Sequence, residues 1–562
     1  MDNLSLEQAL KTHFGHSAFR KPQREVIASL LAGKDTLAIM PTGGGKSLCY
    51  QLPALLLDGV TLVVSPLIAL MKDQVDALNA KGIAAAMINS SQSWDEQKLA
   101  LDKMAAGELK LAYIAPERFR AGSFLRTLSR AKISLLAIDE AHCISQWGHD
   151  FRPDYMRLGE ALDKMGRPLC AAFTATATPE VKEDILVQLK MREPSVFVSG
   201  FARPNLHFHI RHVEKKNEKH ARVRELVRQH ETGIIYCATR KSAEKLSDDF
   251  RKDKIRHVLY HGGMTPAQRD KAQEQFMSKK YPVAVATNAF GMGIDRADIR
   301  FVCHWEMPGS VEAYYQESGR AGRDGQSAHC EVLFMYADKR VQDFFIDGTN
   351  PAPALIRRVY DILHQTKGHD NEAFISMDDL ARMATLGQRK SGAANSMAVT
   401  SALTVLRKLG LIERFEIPGL RARGTRLLQP DFSARDITID AELLDEKRRR
   451  DEAKLKAFIH LAYSKECRQS WILNYFGETD FEPCGGCDCC DSMKTPATPA
   501  PVLVEEEFVE VRKALSGIAR MSWRIAPTQW QPRFGRDKVL KSLLGSKDEK
   551  IIGAGLDKLS TY

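Results

Sequence analysis

The sequence predicts an α/β protein: two domains in tandem, each on a parallel sheet, followed by winged-helix-like and zinc-binding modules. Three observations predict it. Short β-rich runs alternate with longer helical patterns over residues 20–200, and a second such series spans 201–345. The rhythm breaks at Pro351, where helices and a hairpin take over. Five of the eleven cysteines gather between 467 and 490.

The first block, 1–200, has strand candidates in LAIM, TLVVSP, LAYIAP, LLAIDE and CAAFTAT, each ending in a polar or Gly/Pro-rich loop. In a doubly wound sheet the ligand loops lie at those strand ends. The second block, 201–345, has GIIYCATR, HVLYHGG, VAVATNAFG, FVCHWEMP and HCEVLFMY, and a cleft is expected between the blocks. In 346–440, helices are expected over 354–364, after Ser376 and over Met397–Leu409. LIERFEI and TRLLQP then form a hairpin, with Arg421, Arg423 and Arg426 at the wing, where phosphates can be met. Residues 441–494 hold a charged helical stretch (443–476) and the cysteine cluster. The run Lys447-Arg448-Arg449-Arg450 reads as a solvated face. A Pro-rich spacer, Thr495 to Pro501, precedes a small packed unit at 502–562.

Of 562 residues, 44% are hydrophobic and 27% charged, and the net charge of +10 favours a polyanionic partner. The N-terminus has no secretory hydrophobic region, and no apolar run is long enough to cross a bilayer. A cytoplasmic protein with no membrane partner is expected, nucleoid-associated if bacterial.

MPTGGGKS, Met40 to Ser47, joins an apolar strand to a helix. Glycines let backbone N–H groups approach phosphate oxygens, so Thr42, Gly43, Gly44 and Gly45 form a phosphate cradle. Lys46 reaches the β/γ-phosphates of ATP, and Ser47 ligates Mg²⁺. Met40 stands where the strict pattern has Gly. DEAHCISQWGHDFRP, residues 139–153, begins with a carboxylate just past a strand. Asp139 suits Mg²⁺, and Glu140 polarises the attacking water. Gln146, Trp147, His149, Phe151 and Arg152 follow, offering stacking faces and a cation for unpaired bases and phosphates. YYQESGRAGRDG, Tyr314 to Gly325, brings Arg320 and Arg323 to one loop-to-helix junction, an arginine-finger arrangement for the leaving γ-phosphate.

These motifs, with SPLIALMKDQV (Ser65–Val75), YIAPERF (Tyr113–Phe119), FTATAT (Phe173–Thr178), ATNAFGMGID (Ala286–Asp295) and FGHSAFRKPQ (Phe14–Gln23), resemble the RecQ family of superfamily 2 DNA helicases. The resemblance is dense over 8–340. It implies RecA-like motor domains, adenine contact by Arg20 and Gln23, and a link from the ATP site to DNA through Thr174-Ala175-Thr176. It also implies ATP-driven 3′→5′ unwinding in recombination and repair, with single-stranded and forked duplex DNA as substrates. An RNA helicase or non-separating translocase is the second reading, and a zinc and winged-helix regulator with a vestigial motor is the third.

Cys467, Cys484, Cys487 and Cys490 can close a tetrahedral Zn²⁺ shell, a structural site without an open position. Cys489 can replace Cys490 as a ligand, but spacing and the family pattern favour Cys490. WILNYFGE (Trp471–Glu478) also matches the family's zinc module. In the common arrangement that module follows the second motor domain almost directly, whereas here 346–440 intervenes. The tail resembles the opening of the family's own winged-helix domain through ALSGIARM (Ala514–Met521), RFG and LDKLSTY. The inserted module is therefore expected to take over some duplex contact.

Overall fold

The computed structural model describes residues 5–558 except 42, 121, 129, 149, 292–293, 295, 386–394, 417–422, 495–503, 527–528 and 535. Thr42, His149, Arg421, the Pro-rich spacer and the last residues of LDKLSTY therefore lie outside the described residues. Two units result, Met1–Ser492 and Met493–Tyr562.

The first sheet comprises β1 (Thr36–Ile39), β2 (Val60–Val64), β3 (Ala85–Ile88), β4 (Leu111–Ile114), β5 (Ile133–Ile138), β6 (Leu169–Thr174) and β7 (Ser195–Val198), ordered β3-β4-β2-β5-β6-β1-β7. Every recorded pairing is parallel. The central strands are buried on both faces, as a helix-covered parallel sheet requires, and so read as unbroken apolar runs. Edge strand β7 is half exposed and so lacks a continuous apolar run, whereas β3 is apolar but alanine-rich, with little β-branched character to mark it as a strand. Ile39 of β1 stands beside Thr174 of β6, and Ile138 of β5 beside Ala172. The loops at 40–46 and 139–140 are thereby set on one edge of the sheet.

The second sheet comprises β8 (Leu206–His212), β9 (Gly233–Tyr236), β10 (His257–Tyr260), β11 (Val283–Ala286), β12 (Phe301–His304) and β13 (Ala328–Phe334), ordered β10-β11-β9-β12-β13-β8 and again parallel. Strand β8, an edge strand rich in histidine, escaped the sequence pattern because, as in β7, its less buried face interrupts the apolar run.

The inserted module has helices Pro353–Thr366, Met377–Thr385 and Ser396–Lys408, then β15 (Ile412–Glu416) and β16 (Arg423–Leu427), around its own core of Ile356, Tyr360, Leu380, Leu403 and Leu427. A short strand, β14 (Glu372–Ala373), completes an antiparallel β14-β16-β15 sheet. The winged-helix pattern is present with one strand more than expected. Its third helix, which in such modules enters nucleic acid, is turned onto the motor. Ser401 Oγ donates to Gly348 O at 2.8 Å, and Met397 packs where Gly348 leaves no room for a side chain.

The expected helical stretch over 443–476 is two helices, Ala441–Tyr463 and Arg468–Tyr475. The break brings Cys467 to the other cysteines, and the Arg468 N–H donates to Cys487 Sγ at 3.4 Å. The second unit holds the helix Glu505–Arg520, a hairpin of β17 (Ser522–Ala526) and β18 (Gln529–Pro532), and the helix Arg536–Leu543. Met521, Ile551 and Leu556 form its core.

Candidate active site and nucleic-acid interface

The phosphate loop is shaped by glycine where a side chain would not fit. Gly43 and Gly45 have φ of +82° and +77°, and a Cβ on Gly45 would collide with Gln23 Nε2. Lys46 and Ser47 open the helix Lys46–Leu56, whose N-terminus favours anions. Lys46 Nζ is held by Met40 O at 3.3 Å. Gln23 Nε2 donates to the carbonyls of Gly45 (3.1 Å) and Gly44 (3.3 Å), and Arg20 Nη1 to that of Gly43 (2.8 Å). The two residues expected at adenine thus clasp the phosphate loop, tying the entry segment to it.

Asp139 follows β5 and is buried, with its N–H donated to Val64 O at 2.9 Å. Burial pushes its carboxyl pKa up and adjacent Glu140 adds to the rise, while the Lys46 ammonium opposes it. Glu140 has φ of +48°, a left-handed conformation that turns its side chain inward. Its Oε2 is buried without a hydrogen-bond partner among the described residues, 3.3 Å from His142 Nδ1. The His142 Nδ1 also meets Thr174 Oγ1 at 2.8 Å. Two adjoining carboxyls under one ammonium leave net negative charge that a divalent cation would relieve, so the donor set fits Mg²⁺.

The segment beyond is folded back tightly. Trp147 is 42% exposed, Phe151 is half-buried and Gln146 is exposed. Arg152, expected as a cation for the strand, also bonds within its own surroundings. Its Nη2 donates to Asp150 Oδ2 at 2.9 Å and its Nη1 to Pro66 O at 3.0 Å, so it braces the loop. The basic run also departs from a solvated face: the Arg450 guanidinium lies 4.4 Å from the Trp147 ring centre.

Arg323 of the second domain crosses to the phosphate loop, its Cγ 3.8 Å from where a Gly43 Cβ would stand. Arg320 lies deeper, against Gly291, and its buried Nε has no acceptor among the described residues. An orphaned donor of this kind suits a ligand anion. Arg203 Nη2 and Asn205 Nδ2 donate to Gly322 O at 3.3 and 2.8 Å and so set the finger loop. Neither residue was singled out from sequence. An Arg-Pro-Asn run at a domain start is too short a signal without the fold.

The sulfurs of Cys467, Cys484, Cys487 and Cys490 lie within 4.8 Å of one another. Backbone N–H groups of Cys484 and Cys490 donate to Cys467 Sγ and Cys487 Sγ at 3.2 and 3.4 Å, as ligating thiolates require. The cluster fits Zn²⁺. Cys489 stands apart, its thiol turned to Ser464 O at 3.7 Å.

Family models match in chain order: a DEAD/DEAH box helicase over residues 20–185, a helicase conserved C-terminal domain over 218–325, and a RecQ zinc-binding region over 430–491. The ATP-dependent DNA helicase RecQ of Bacillus subtilis is 37% identical over 560 residues, 99% of this chain and 76% of the relative. The chain belongs to the RecQ family of ATP-dependent DNA helicases. RecQ of Pasteurella multocida is 35% identical over 98% of this chain and 69% of its own. The probable helicase RecS of Bacillus subtilis is 42% identical over 65% of this chain and 74% of its own. The Mycobacterium smegmatis helicase Lhr, solved with single-stranded DNA and AMP-PNP, shares the fold, with a TM-score of 0.50 and 18% identity over 76% of this chain and 61% of its own.

As a RecQ-family helicase, the chain uses ATP, Mg²⁺ and Zn²⁺ and acts on DNA. No described helix is long and apolar enough to cross a membrane. The zinc module packs on the interdomain linker of this helicase: Phe476 stacks on Phe201 with ring centres 4.6 Å apart, and Tyr315 Oη donates to Phe201 O at 2.6 Å. Glu478 also accepts from the Phe201 N–H. The WILNYFGE segment thus buttresses the hinge.

Proposed function

We propose that this RecQ-family helicase unwinds single-strand-tailed and forked duplex DNA in the 3′→5′ direction, in recombination and repair, by coupling ATP hydrolysis to single-strand translocation. Such an enzyme works in the compartment that holds the chromosome. Gly43, Gly44, Gly45 and Thr42 cradle the phosphates, Lys46 pairs with the β/γ-oxygens, and Arg20 and Gln23 read the base once released from the loop carbonyls. Ser47 and Asp139 would hold Mg²⁺, which would offset charge that develops on the γ-phosphoryl group. Glu140 orients water, and Arg323 with Arg320 meets the charge from the second domain, so turnover needs a closed cleft. Reopening moves the strand gripped by Gln146, Trp147, His149, Phe151 and Arg152. Cys467, Cys484, Cys487 and Cys490 hold Zn²⁺ as a structural centre.

One observation carries the coupling. The His142 ring touches Glu140 and Thr174 and lies four and five residues ahead of the exposed Gln146 and Trp147. A shift of that segment therefore reaches the carboxylate assigned to water. Strand displacement on 3′- and 5′-tailed duplexes, with and without ATP, tests the reading. Separation only of the 3′-tailed duplex, only with ATP, is expected. Opening of both or neither sinks it. Stimulation of ATP turnover by single-stranded DNA over RNA separates this reading from an RNA helicase.

A further inference from the structure

Among the described residues, Trp147 is the most exposed aromatic of the strand-binding loop, and its indole is already engaged. Arg450, on the helix Ala441–Tyr463, sets its guanidinium 4.4 Å from the ring centre. That side chain is 10% exposed and pairs with Glu446 at 3.0 Å, while its Nε has no acceptor among the described residues. One turn further, Lys454 Nζ donates to Gly148 O at 2.7 Å. Gly148 presses so closely on the His142 carbonyl that no Cβ would fit, and His142 is the residue touching Glu140. A single helix thus holds two consecutive loop residues whose far side adjoins the carboxylate assigned to water.

An indole face accommodates a guanidinium or a nucleobase, not both. Desolvated cation–π contact and base stacking on an aromatic are of similar strength, so neither occupant wins by a wide margin. The orphaned Nε tilts the balance towards release, because a displaced Arg450 regains an acceptor.

We propose that Arg450 is a built-in competitor for the stacking face of Trp147, which an unpaired nucleobase gains only by displacing it. Resting on the assignment of 145–153 as the strand-binding loop, this adds the device that sets its threshold. With Arg450 in place the loop is held and water activation is restrained.

The test uses the full chain, labelled oligo(dT) and steady-state ATP turnover. Arg450→Ala lowers the oligo(dT) concentration for half-maximal stimulation about fivefold and raises turnover without DNA about two- to threefold. Arg450→Lys, which keeps a cation over the ring, falls between parent and alanine variant. In a Trp147→Ala background, Arg450→Ala leaves the oligo(dT) dissociation constant where Trp147→Ala alone put it. Weaker binding by Arg450→Ala would identify a plain phosphate contact and overturn the proposal, as would no change. If the alanine variant does not fold, Arg450→Lys decides, and a threshold equal to the parent's overturns the proposal. A parent enzyme indifferent to DNA removes the loop assignment itself. A stimulated parent with an unaltered Arg450→Ala variant removes only the competitor.

Discussion

Lys46, held by the Met40 carbonyl at 3.3 Å, is positioned before any phosphate arrives. Truncation should therefore remove a preorganised charge and little packing. Lys46→Ala is expected to lower ATP turnover by at least about a thousandfold, with single-strand binding by anisotropy unchanged within about twofold. Retained turnover would refute the phosphate role. Arg323 comes from the opposite domain and acts only in the closed cleft. Arg323→Ala should lower kcat by about a thousandfold while ATP binding, read with a fluorescent nucleotide, changes far less. A loss confined to binding would instead make it a ground-state contact.

Within an element, buried charge decides more than surface charge. Glu331 on β13 is buried and meets Arg222 at 2.6 Å and His329 at 2.7 Å. Burial alone would raise its carboxyl, but His329 and Arg222 hold it down at about 2. A folded-state pKa below the ordinary carboxylate value adds stability that is complete above pH ~4.3 and is lost as pH falls towards 2. Glu331→Gln should cost about 3–5 kcal/mol at neutral pH by urea denaturation, and the gap to the parent should narrow as pH falls below ~4.3 towards 2. A gap that widens in acid contradicts the assignment. The zinc helices depend on a different interaction. Cys484→Ser should lower bound zinc, measured by metal analysis, and reduce the soluble yield. Unchanged stoichiometry would count against Cys484 as a zinc ligand.

Across the molecule, the inserted module sits with its third helix on the second motor domain. A cavity of about 840 Å³ is lined by Phe151, Met307, Phe345, Val405 and Leu443, from the loop, the second motor domain and its following helix, the insertion and the helix Ala441–Tyr463. The described wing arginines are partnered, Arg426 by Glu372 at 2.7 Å and Glu413 at 3.3 Å, and Arg423 by Glu416 at 3.5 Å. These two arginines are therefore expected to add little to duplex contact. Arg423→Ala with Arg426→Ala should weaken forked-duplex binding by less than about threefold at physiological salt, read by anisotropy. A tenfold loss would restore the wing as a principal duplex contact.

The motifs at 40–47, 139–140 and 314–325 and the cysteine spacing were legible in the chain because the chemistry proposed for each needs particular residue types at short, local separations. Central strands were legible because burial on both faces demands continuous apolar runs. Edge strands β7 and β8 were not, since a less buried face dilutes the pattern, and β3 was not, since its alanine-rich run carries little β-branched character. Only the tertiary structure decided that Arg152 braces its own loop, that Arg203 and Asn205 set the finger loop, and that Arg450 covers Trp147. These contacts join residues up to about three hundred positions apart, as Trp147 and Arg450 show. Side-chain partnership at such separations is settled by packing, which local composition does not encode.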